Sequence, residues 1–194
     1  MSIITFWSNG KEETAKTLSM AAISTYMAIE HNCRILVLST NYNDSTLESC
    51  YWEEEQTNAK RNVVGLGSGI EELAKAIVSN KASPEIITNY TKIIFKNRLE
   101  VLPGLKSSNY QEYEKIRHVY KDILKTANSY YDLIFVDLNK GLDSQDTREI
   151  LEMSDLIVVN LTQRLKIINA YMDLKQNEQI FNNGNNVLLL LRKI

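Results

Sequence analysis

The sequence has few of the residues that mark metal sites and nucleophilic enzymes. It contains two cysteines, Cys33 and Cys50, and two histidines, His31 and His118. The cysteines do not have the spacing of metal ligands, and two lone thiols suit a reducing cytoplasm. The histidines lie far apart in the chain and fit neither a metal site nor a catalytic triad. A zinc site, an iron–sulfur site and a histidine-dependent triad are therefore not expected.

The chain also lacks a long apolar run and a large excess of charge. Its longest apolar run extends only from Val187 to Leu191, whereas a membrane-spanning helix needs about 20 residues. Residues 2–7 are too short for a secretory signal and follow no basic residues, so we expect a soluble cytoplasmic protein. The net charge of −2 provides no global basic surface, so binding to DNA or to a membrane surface has no support from charge.

Apolar, strand-like runs alternate with helical stretches along the 194 residues. This alternation predicts one α/β domain over residues 1–194, with a doubly wound, mostly parallel sheet flanked by helices. The last three strands are almost continuously apolar, so we expect burial on both of their faces. The final strand runs into Ile194, which suggests either a trimmed chain or a compact member of its class. The predicted strands are 3–7, 34–39, 98–102, 132–137, 156–161 and 187–191, and the predicted helices are 14–31, 70–79, one from 83, and 109–129.

An altered phosphate-loop pattern follows the first predicted strand. The usual pattern is glycine, four residues, glycine, lysine, and then serine or threonine. Its backbone N–H groups cradle phosphates, its lysine reaches the β and γ oxygens, and its hydroxyl binds Mg²⁺. Gly10, Lys16 and Thr17 have this spacing, but Ala15 replaces the second glycine. The spacing predicts a phosphate site, with one element of the loop changed.

Four residues are candidates for a nucleotide site. Lys16 is the best candidate for a phosphate contact, and Thr17 at the start of the helix is a candidate Mg²⁺ ligand. Thr14 is expected to cap the helix or to lie in its first turn. Asp137 ends a buried strand at the carboxyl edge of the sheet, where ligands bind in open α/β folds. The alternatives are that Lys16 is a solvent-exposed lysine and that Asp137 caps a loop amide.

Several segments together resemble a known family. Residues 131–141 (Tyr-Asp-Leu-Ile-Phe-Val-Asp-Leu-Asn-Lys-Gly) match a Walker B strand, and Lys11 lies five residues before Lys16. Residues 100–104 and 154–159 match the strands that flank this motif. The chain in these respects resembles the ParA/MinD group of deviant P-loop ATPases, which includes the localisation ATPases of Flp/Tad pilus systems. The resemblance covers most of the chain.

The resemblance implies a function and a set of site residues. It implies that ATP and Mg²⁺ bind between two copies of the chain, with Lys11 reaching the phosphates of the second copy. It also implies protein partners in a partition, positioning, secretion or pilus system. The implied metal ligands are Thr17 and Asp137. The implied nucleotide-binding residues are Gly10, Lys11, Thr14, Ala15, Lys16, Thr17 and Leu18.

The sequence departs from the family pattern at the catalytic positions. The three glycines of the family loop are Glu12, Glu13 and Ala15 here, and the carboxylates that end its second strand are replaced in Ser39-Thr40-Asn41. A carboxylate ~7 Å from a phosphate charge costs roughly 0.6 kcal/mol in water and ~2.4 kcal/mol at an effective dielectric of 20. Two hypotheses follow. The first is a weak Mg-ATP-dependent dimer switch, and the second is a scaffold that keeps the fold and binds partners without nucleotide.

Overall fold

The computed structural model describes residues 2–9, 14–41, 46–53, 69–79, 83–105, 110–138, 141–181 and 186–192. Seven strands form one sheet, and only the pairing of its third and fourth strands is antiparallel among those described. The strands are β1 Ser2–Trp7, β2 Ile35–Ser39, β3 Lys92–Phe95, β4 Leu99–Leu102, β5 Leu133–Asp137, β6 Leu156–Thr162 and β7 Asn186–Arg192. Their order across the sheet is β3-β4-β2-β5-β1-β6-β7. The doubly wound, mostly parallel α/β fold is confirmed.

Helices cover both faces of the sheet. The α-helices are α1 Lys16–Glu30, α2 Thr46–Ser49, α3 Ile70–Val78, α4 Tyr110–Ile116, α5 Tyr120–Asn128, α6 Gln145–Glu152 and α7 Leu165–Asn177. Shorter 3₁₀ helices span Pro84–Asn89, Arg117–Val119 and Gln179–Phe181. No helix in the described ranges combines the length and the hydropathy needed to cross a membrane.

Two apolar cores hold the layers together. On one face, Met20 and Ala28 of α1 and Leu47 of α2 pack against Val37 and Phe135 of the sheet. The other core is larger and joins α3 to α7 to the opposite face. Because each parallel strand sends alternate side chains to opposite faces, both cores draw on the same apolar runs. The central strands are consequently buried on both sides.

Aromatic residues occupy the larger core rather than a cofactor site. Trp7 is fully buried, and its ring lies 5.5 Å from that of Phe181 between centroids. Tyr113 and Tyr120 are also buried, whereas Tyr110 is 49% exposed. Tyr113 and Tyr120 therefore have a packing role in this core. Burial chiefly raises the pKa of Tyr113, to about 12.

The structure corrects the predicted helices. The continuous helix expected over residues 109–129 is wrong, because Arg117–Val119 forms a 3₁₀ turn between α4 and α5. Arg117 and His118 in this turn both reach the carboxylate of Asp146 on α6, at 3.5 and 3.2 Å. These tertiary contacts favour the tighter turn over helical propensity. The helix expected from residue 83 is a 3₁₀ helix, Pro84–Asn89.

The last strand is also corrected. β7 was expected to be buried on both faces, but Leu188, Leu189 and Leu191 are 49%, 45% and 48% exposed. The reason is topological, since β7 lies at the edge of the described sheet and pairs only with β6 there. A continuous apolar run indicates a strand but does not fix how many neighbours it has. Strand β3 and helices α2, α6 and α7 had no counterpart in the predicted elements.

Candidate functional site

The topology brings the ends of three elements to one point. β1 and β5 are parallel neighbours, with Phe6 opposite Asp137 in the register. The chain leaves β1 through a loop and enters α1 at Lys16, above the same strand ends. Because parallel strands end at a common edge, Asp137 and the start of α1 lie together although they are far apart in sequence.

Lys16, Thr17 and Asp137 are in direct contact. The Nζ atom of Lys16 lies 2.7 Å from Oδ1 of Asp137, and it also donates a hydrogen bond to the carbonyl of Leu138. The hydroxyl of Thr17 donates to Oδ2 of Asp137 at 2.7 Å. Lys16 is 9% exposed and Asp137 is 2% exposed. The two charges are buried, and each supplies the other's counter-ion.

This arrangement has the chemistry of a Mg²⁺-nucleotide site. Asp137 can exchange its contact with Lys16 for a metal ion, and Lys16 can exchange it for a phosphate. Mg²⁺ is typically held by one or two carboxylates together with waters and substrate phosphates. Among the described residues no group of three acidic, histidine or cysteine side chains gathers around a metal position. The single carboxylate and one hydroxyl fit a shared Mg²⁺–phosphate site better than an all-protein metal cage.

Ala15 adopts a backbone conformation that favours glycine. Its φ and ψ angles are 54° and 28°, in the left-handed helical region. This conformation costs an alanine roughly 1–2 kcal/mol. Ala15 stands where the phosphate-loop pattern has its second glycine, and glycine adopts this left-handed conformation without the steric cost that the alanine side chain brings.

Thr14 does not cap α1, contrary to prediction. The helix begins at Lys16 and its cap residue is Ala15, with no side-chain hydrogen bond from this residue. Thr14 lies one residue farther out and is buried. A helix start with free N–H groups is a favourable place for an anion. Leu18, also predicted for the nucleotide site, has a side chain that is 63% exposed, and its place in the site stays a prediction.

Uncharged side chains, those of Ser39 and Asn41, stand at the end of β2 where the family has carboxylates. The hydroxyl of Ser39 lies 3.5 Å from Oδ2 of Asp137, and the backbone N–H of Thr40 donates to the Asp137 carbonyl at 3.0 Å. The Ser39 hydroxyl and the Thr40 N–H thus hold the side chain and the backbone of Asp137 in position. They add no negative charge, and among the residues that the structure describes Asp137 is the one carboxylate in contact with Lys16.

Two polar residues near this edge were missed by the sequence reasoning. Glu48 of α2 is 4% exposed, and its Oε1 accepts a hydrogen bond from the Gly104 N–H at 2.9 Å. Asn160 is fully buried, and in the described part of the chain its Oδ1 has no hydrogen-bond partner. The pair Trp7–Val159 in the β1–β6 register puts Asn160 level with the start of the loop, on the α1 side. The one feature of the sequence that could have identified Asn160 is that it is an amide side chain within an otherwise apolar strand.

Some predicted residues lie outside the described part of the chain. These are Gly10, Lys11, Glu12 and Glu13. Their places in the nucleotide site therefore stay predictions. Cys50 is described, and its thiol pKa is raised by burial and by the charge of Asp137. A raised pKa makes it a weak nucleophile at neutral pH, which agrees with the absence of a cysteine mechanism from the sequence interpretation.

Comparisons with known proteins identify the fold. No protein-family model matches the chain, and no curated protein matches it in sequence. Three solved structures illustrate the similarity. A ParA family ATPase from Chlorobium tepidum TLS is 16% identical with a TM-score of 0.77, covering 98% of this chain and 73% of that one. The septum site-determining protein MinD from Pyrococcus horikoshii OT3, complexed with Mg-ADP, is 16% identical with a TM-score of 0.65, covering 98% and 69%.

The kinase domain of the Escherichia coli tyrosine kinase ETK is similar as well. It is 14% identical with a TM-score of 0.64, and the match covers 100% of this chain and 68% of that one. Identities this low describe architecture and not activity, and the fold serves proteins with different activities. The chain has the fold of the ParA/MinD type of P-loop ATPases.

Proposed function

We propose that the chain binds Mg-ATP weakly at Lys16, Thr17 and Asp137 and uses nucleotide to control self-association in a positioning or assembly process. The observation that carries this proposal is the meeting of a lysine, a threonine hydroxyl and a strand-end aspartate at the start of α1. These are the three side chains that a phosphate loop and a Walker B strand contribute to Mg-nucleotide. Positioning is favoured because ParA and MinD proteins share the fold and the motifs.

The contacts of Lys16 suggest how nucleotide would change the site. Without nucleotide, Lys16 neutralises Asp137 in a buried pair. A bound phosphate would take over Lys16, and Mg²⁺ would take over Asp137 together with the hydroxyl of Thr17. The exchange replaces the Lys16–Asp137 pair with a Lys16–phosphate pair and an Asp137–Mg²⁺ pair. If only one ligand bound, the other buried residue would lose its counter-ion, so binding requires the metal and the phosphate together. We therefore expect ATP affinity to depend steeply on Mg²⁺.

Affinity should be low for two reasons. Glu12 and Glu13 bring negative charge into the loop sequence, and Ala15 already strains the backbone that must cradle phosphate. We expect a Kd on the order of 0.1 mM, which corresponds to roughly −5.5 kcal/mol. Hydrolysis should be slow, because Ser39 and Asn41 stand where the family has carboxylates.

The alternative function is a scaffold that binds partners without nucleotide. The closed Lys16–Asp137 pair favours it, because the pair satisfies both charges without any ligand. A protein that has lost its nucleotide would need such a substitute to keep two buried charges in its core. The scaffold and the switch have the same fold. They differ in whether Mg-ATP separates Lys16 from Asp137.

Calorimetric titration with Mg-ATP separates these functions. Thr17→Val removes one hydroxyl at nearly constant volume and leaves the Lys16–Asp137 pair intact, so it should weaken Mg-ATP binding at least tenfold without unfolding the protein. Thr25→Val, a similar change later in α1, is the matched control and should bind normally. Restoring glycine at positions 12, 13 and 15 should tighten binding. If the parent protein binds no ATP at millimolar concentration with Mg²⁺, the switch is refuted and the scaffold stands.

Self-association is measured separately by sedimentation with and without Mg-ATP. The switch predicts a larger dimer fraction with Mg-ATP and no change with ATP and EDTA. Lys11→Ala tests the contribution implied for that lysine, and it should reduce dimerisation more than it reduces nucleotide binding. An equal loss of both would contradict a role for Lys11 across the dimer.

A further inference from the structure

Glu48 on α2 is a buried carboxylate, and no cationic side chain in the described ranges pairs with it. The residue is 4% exposed, and its Oε1 accepts one hydrogen bond, from the N–H of Gly104 at 2.9 Å. Burial removes water from the carboxylate, and a single N–H replaces only part of that solvation. Buried charges in proteins are paired with an opposite charge or bind a metal. The described residues offer Glu48 no opposite charge.

The hydrogen bond to Gly104 does not require a charged side chain. A glutamine has the same length as a glutamate, and its carbonyl oxygen accepts a hydrogen bond from the same kind of donor. It would also avoid the cost of taking a charge out of water. The negative charge of Glu48 therefore has a use beyond holding Gly104, and a cation that arrives with a ligand would supply that use.

Helix α2 lies beside the proposed nucleotide site. Just after this helix, the hydroxyl of Tyr51 shares a hydrogen bond of 2.9 Å with the hydroxyl of Ser24 on α1, the helix that begins at the site. Burial and, as a second cause, the charge of Asp137 raise the pKa of the Cys50 thiol, two residues after Glu48. The electrostatic field of Asp137 therefore extends to this end of α2.

A short series of contacts connects Glu48 with Asp137. A Cβ atom placed on Gly104 would lie 3.7 Å from Oε1 of Glu48 and 3.8 Å from the carbonyl oxygen of Asn41. The N–H of Asn41 donates to the hydroxyl of Ser39 at 3.1 Å, and this hydroxyl lies 3.5 Å from Oδ2 of Asp137. Gly104 follows β4 and Asp137 ends β5, and β2 lies between these two strands. The two carboxylates therefore stand on either side of the end of β2, at the edge of the sheet where ligands bind.

We propose that Glu48 is an outer carboxylate of the Mg²⁺ site, where it accepts hydrogen bonds from water molecules bound to the metal. The inference rests on the proposed function, because it concerns the same metal. Mg²⁺ loses water reluctantly, so it is usually held by one or two carboxylates together with waters and phosphates. The Gly104 N–H holds Oε1 of Glu48, which leaves Oε2 for water. A water between Glu48 and the metal agrees with the position of Glu48 across the end of β2 from Asp137.

A carboxylate in this position affects ATP binding in two opposite ways. With Mg²⁺ it stabilises the hydrated metal, and the loss of such an outer partner typically lowers metal affinity about 10–100-fold. Without Mg²⁺ its negative charge lies close to the phosphates of ATP and opposes their binding. Glu48 should therefore increase the dependence of ATP affinity on Mg²⁺.

Calorimetric titration with ATP, in Mg²⁺ and in EDTA, tests the role of Glu48. Glu48→Gln keeps an acceptor for the Gly104 N–H and removes the charge, so the Kd for ATP should rise at least tenfold in Mg²⁺ and should not rise in EDTA. A purely structural role would weaken binding equally in both. Glu100→Gln is the matched control, because Glu100 lies on β4 and its carboxylate accepts hydrogen bonds from the hydroxyls of Tyr131 and Thr91 instead. Both of its Kd values should equal those of the parent.

Thermal unfolding without nucleotide tests the premise separately. Because Glu48→Gln removes a buried charge and keeps its hydrogen bond, the Tm should equal or exceed that of the parent. A lower Tm would mean that the fold itself uses this charge, and it would overturn the proposal. So would equal Mg-ATP affinity of the parent and Glu48→Gln, which would leave the proposed function intact. A parent protein that binds no Mg-ATP would refute both the proposed function and the role of Glu48.

Discussion

Removing one partner of the Lys16–Asp137 pair should destabilise the protein far more than removing both. Each single change, Lys16→Met or Asp137→Asn, leaves one buried charge without its counter-ion. Breaking a buried pair in this way costs about 3–5 kcal/mol. A domain of this size loses about 2–4 °C of Tm per kcal/mol, so each single variant should melt roughly 6–20 °C lower. The double variant should lie within about 2 kcal/mol of the parent, because no charge remains buried.

Urea unfolding followed by circular dichroism measures this cycle. The coupling energy between the two positions should exceed about 2 kcal/mol, which is large compared with the additive behaviour of independent sites. Single variants that each lose under 1 kcal/mol, or a double variant whose loss equals the sum of the singles, would refute the reasoning. Unchanged slopes against urea are needed to confirm that the unfolded state is comparable.

The effect of ATP on the Tm of the same variants is a second test of the ion pair. In Asp137→Asn, Lys16 has lost its counter-ion and is free to accept phosphate. ATP with EDTA should then raise the Tm of this variant more than that of the parent, by the stabilisation that binding gives, about 2.7 kcal/mol at one hundred times Kd. Lys16→Met should show no such rise. An equal rise in all three proteins would place the binding of ATP elsewhere.

Three further predictions concern single residues. Ala15→Gly should stabilise the protein by about 1 kcal/mol, because it relieves the strain of the left-handed backbone. Ala22→Gly within α1 is the control and should destabilise the protein by about 1 kcal/mol. If urea unfolding shows a change of the same sign for both variants, Ala15 is not strained. Arg98→Ala removes two hydrogen bonds, each 3.1 Å, to the last carbonyls of α1, so the free energy of unfolding should fall by about 1–3 kcal/mol. Amide hydrogen exchange at the C-terminal end of α1 should become faster, and unchanged exchange would show that Arg98 does not cap this helix. Burial raises the pKa of Tyr113 to about 12, so its contribution to stability is complete below about pH 10 and is lost as the pH rises towards 12. Tyr113→Phe should move the alkaline unfolding midpoint upward, and a midpoint that does not move would assign alkaline unfolding to other groups.

The sequence predicted the central sheet well for a physical reason. β2, β5 and β6 are apolar runs with helices between them, and burial on both faces leaves no polar alternation to confuse the pattern. The contact of Thr17 with Asp137 was also within reach, since both were predicted at the carboxyl edge of a parallel sheet. Local pattern and global topology agree at these positions.

Other features depend on contacts that no local pattern encodes. β3 exists because it pairs with β4 across a short turn, although its four residues resemble many loop segments. The exposure of β7 follows from its place in the strand order and not from its leucines. The ion pair of Lys16 with Asp137 depends on the rotamer of a lysine at the start of α1, and the left-handed angle at Ala15 opposes the propensity of alanine. The sequence identifies Lys16, Asp137 and Ala15 as site residues, but it does not predict the ion pair between the first two or the backbone angle of the third.

The central position of β1 has a consequence for how the chain is made. β1 pairs with β5 and β6, up to the register pair Trp7–Val159, so this strand is flanked by two strands that are synthesised much later. At synthesis rates of about 5–20 residues per second, both partners become available only after roughly 8–30 s. Contacts so distant in sequence also form slowly. A nascent chain that stalls before Leu156 would hold β1 with one side unpaired, so β1 completes its pairing only after β6 has been synthesised.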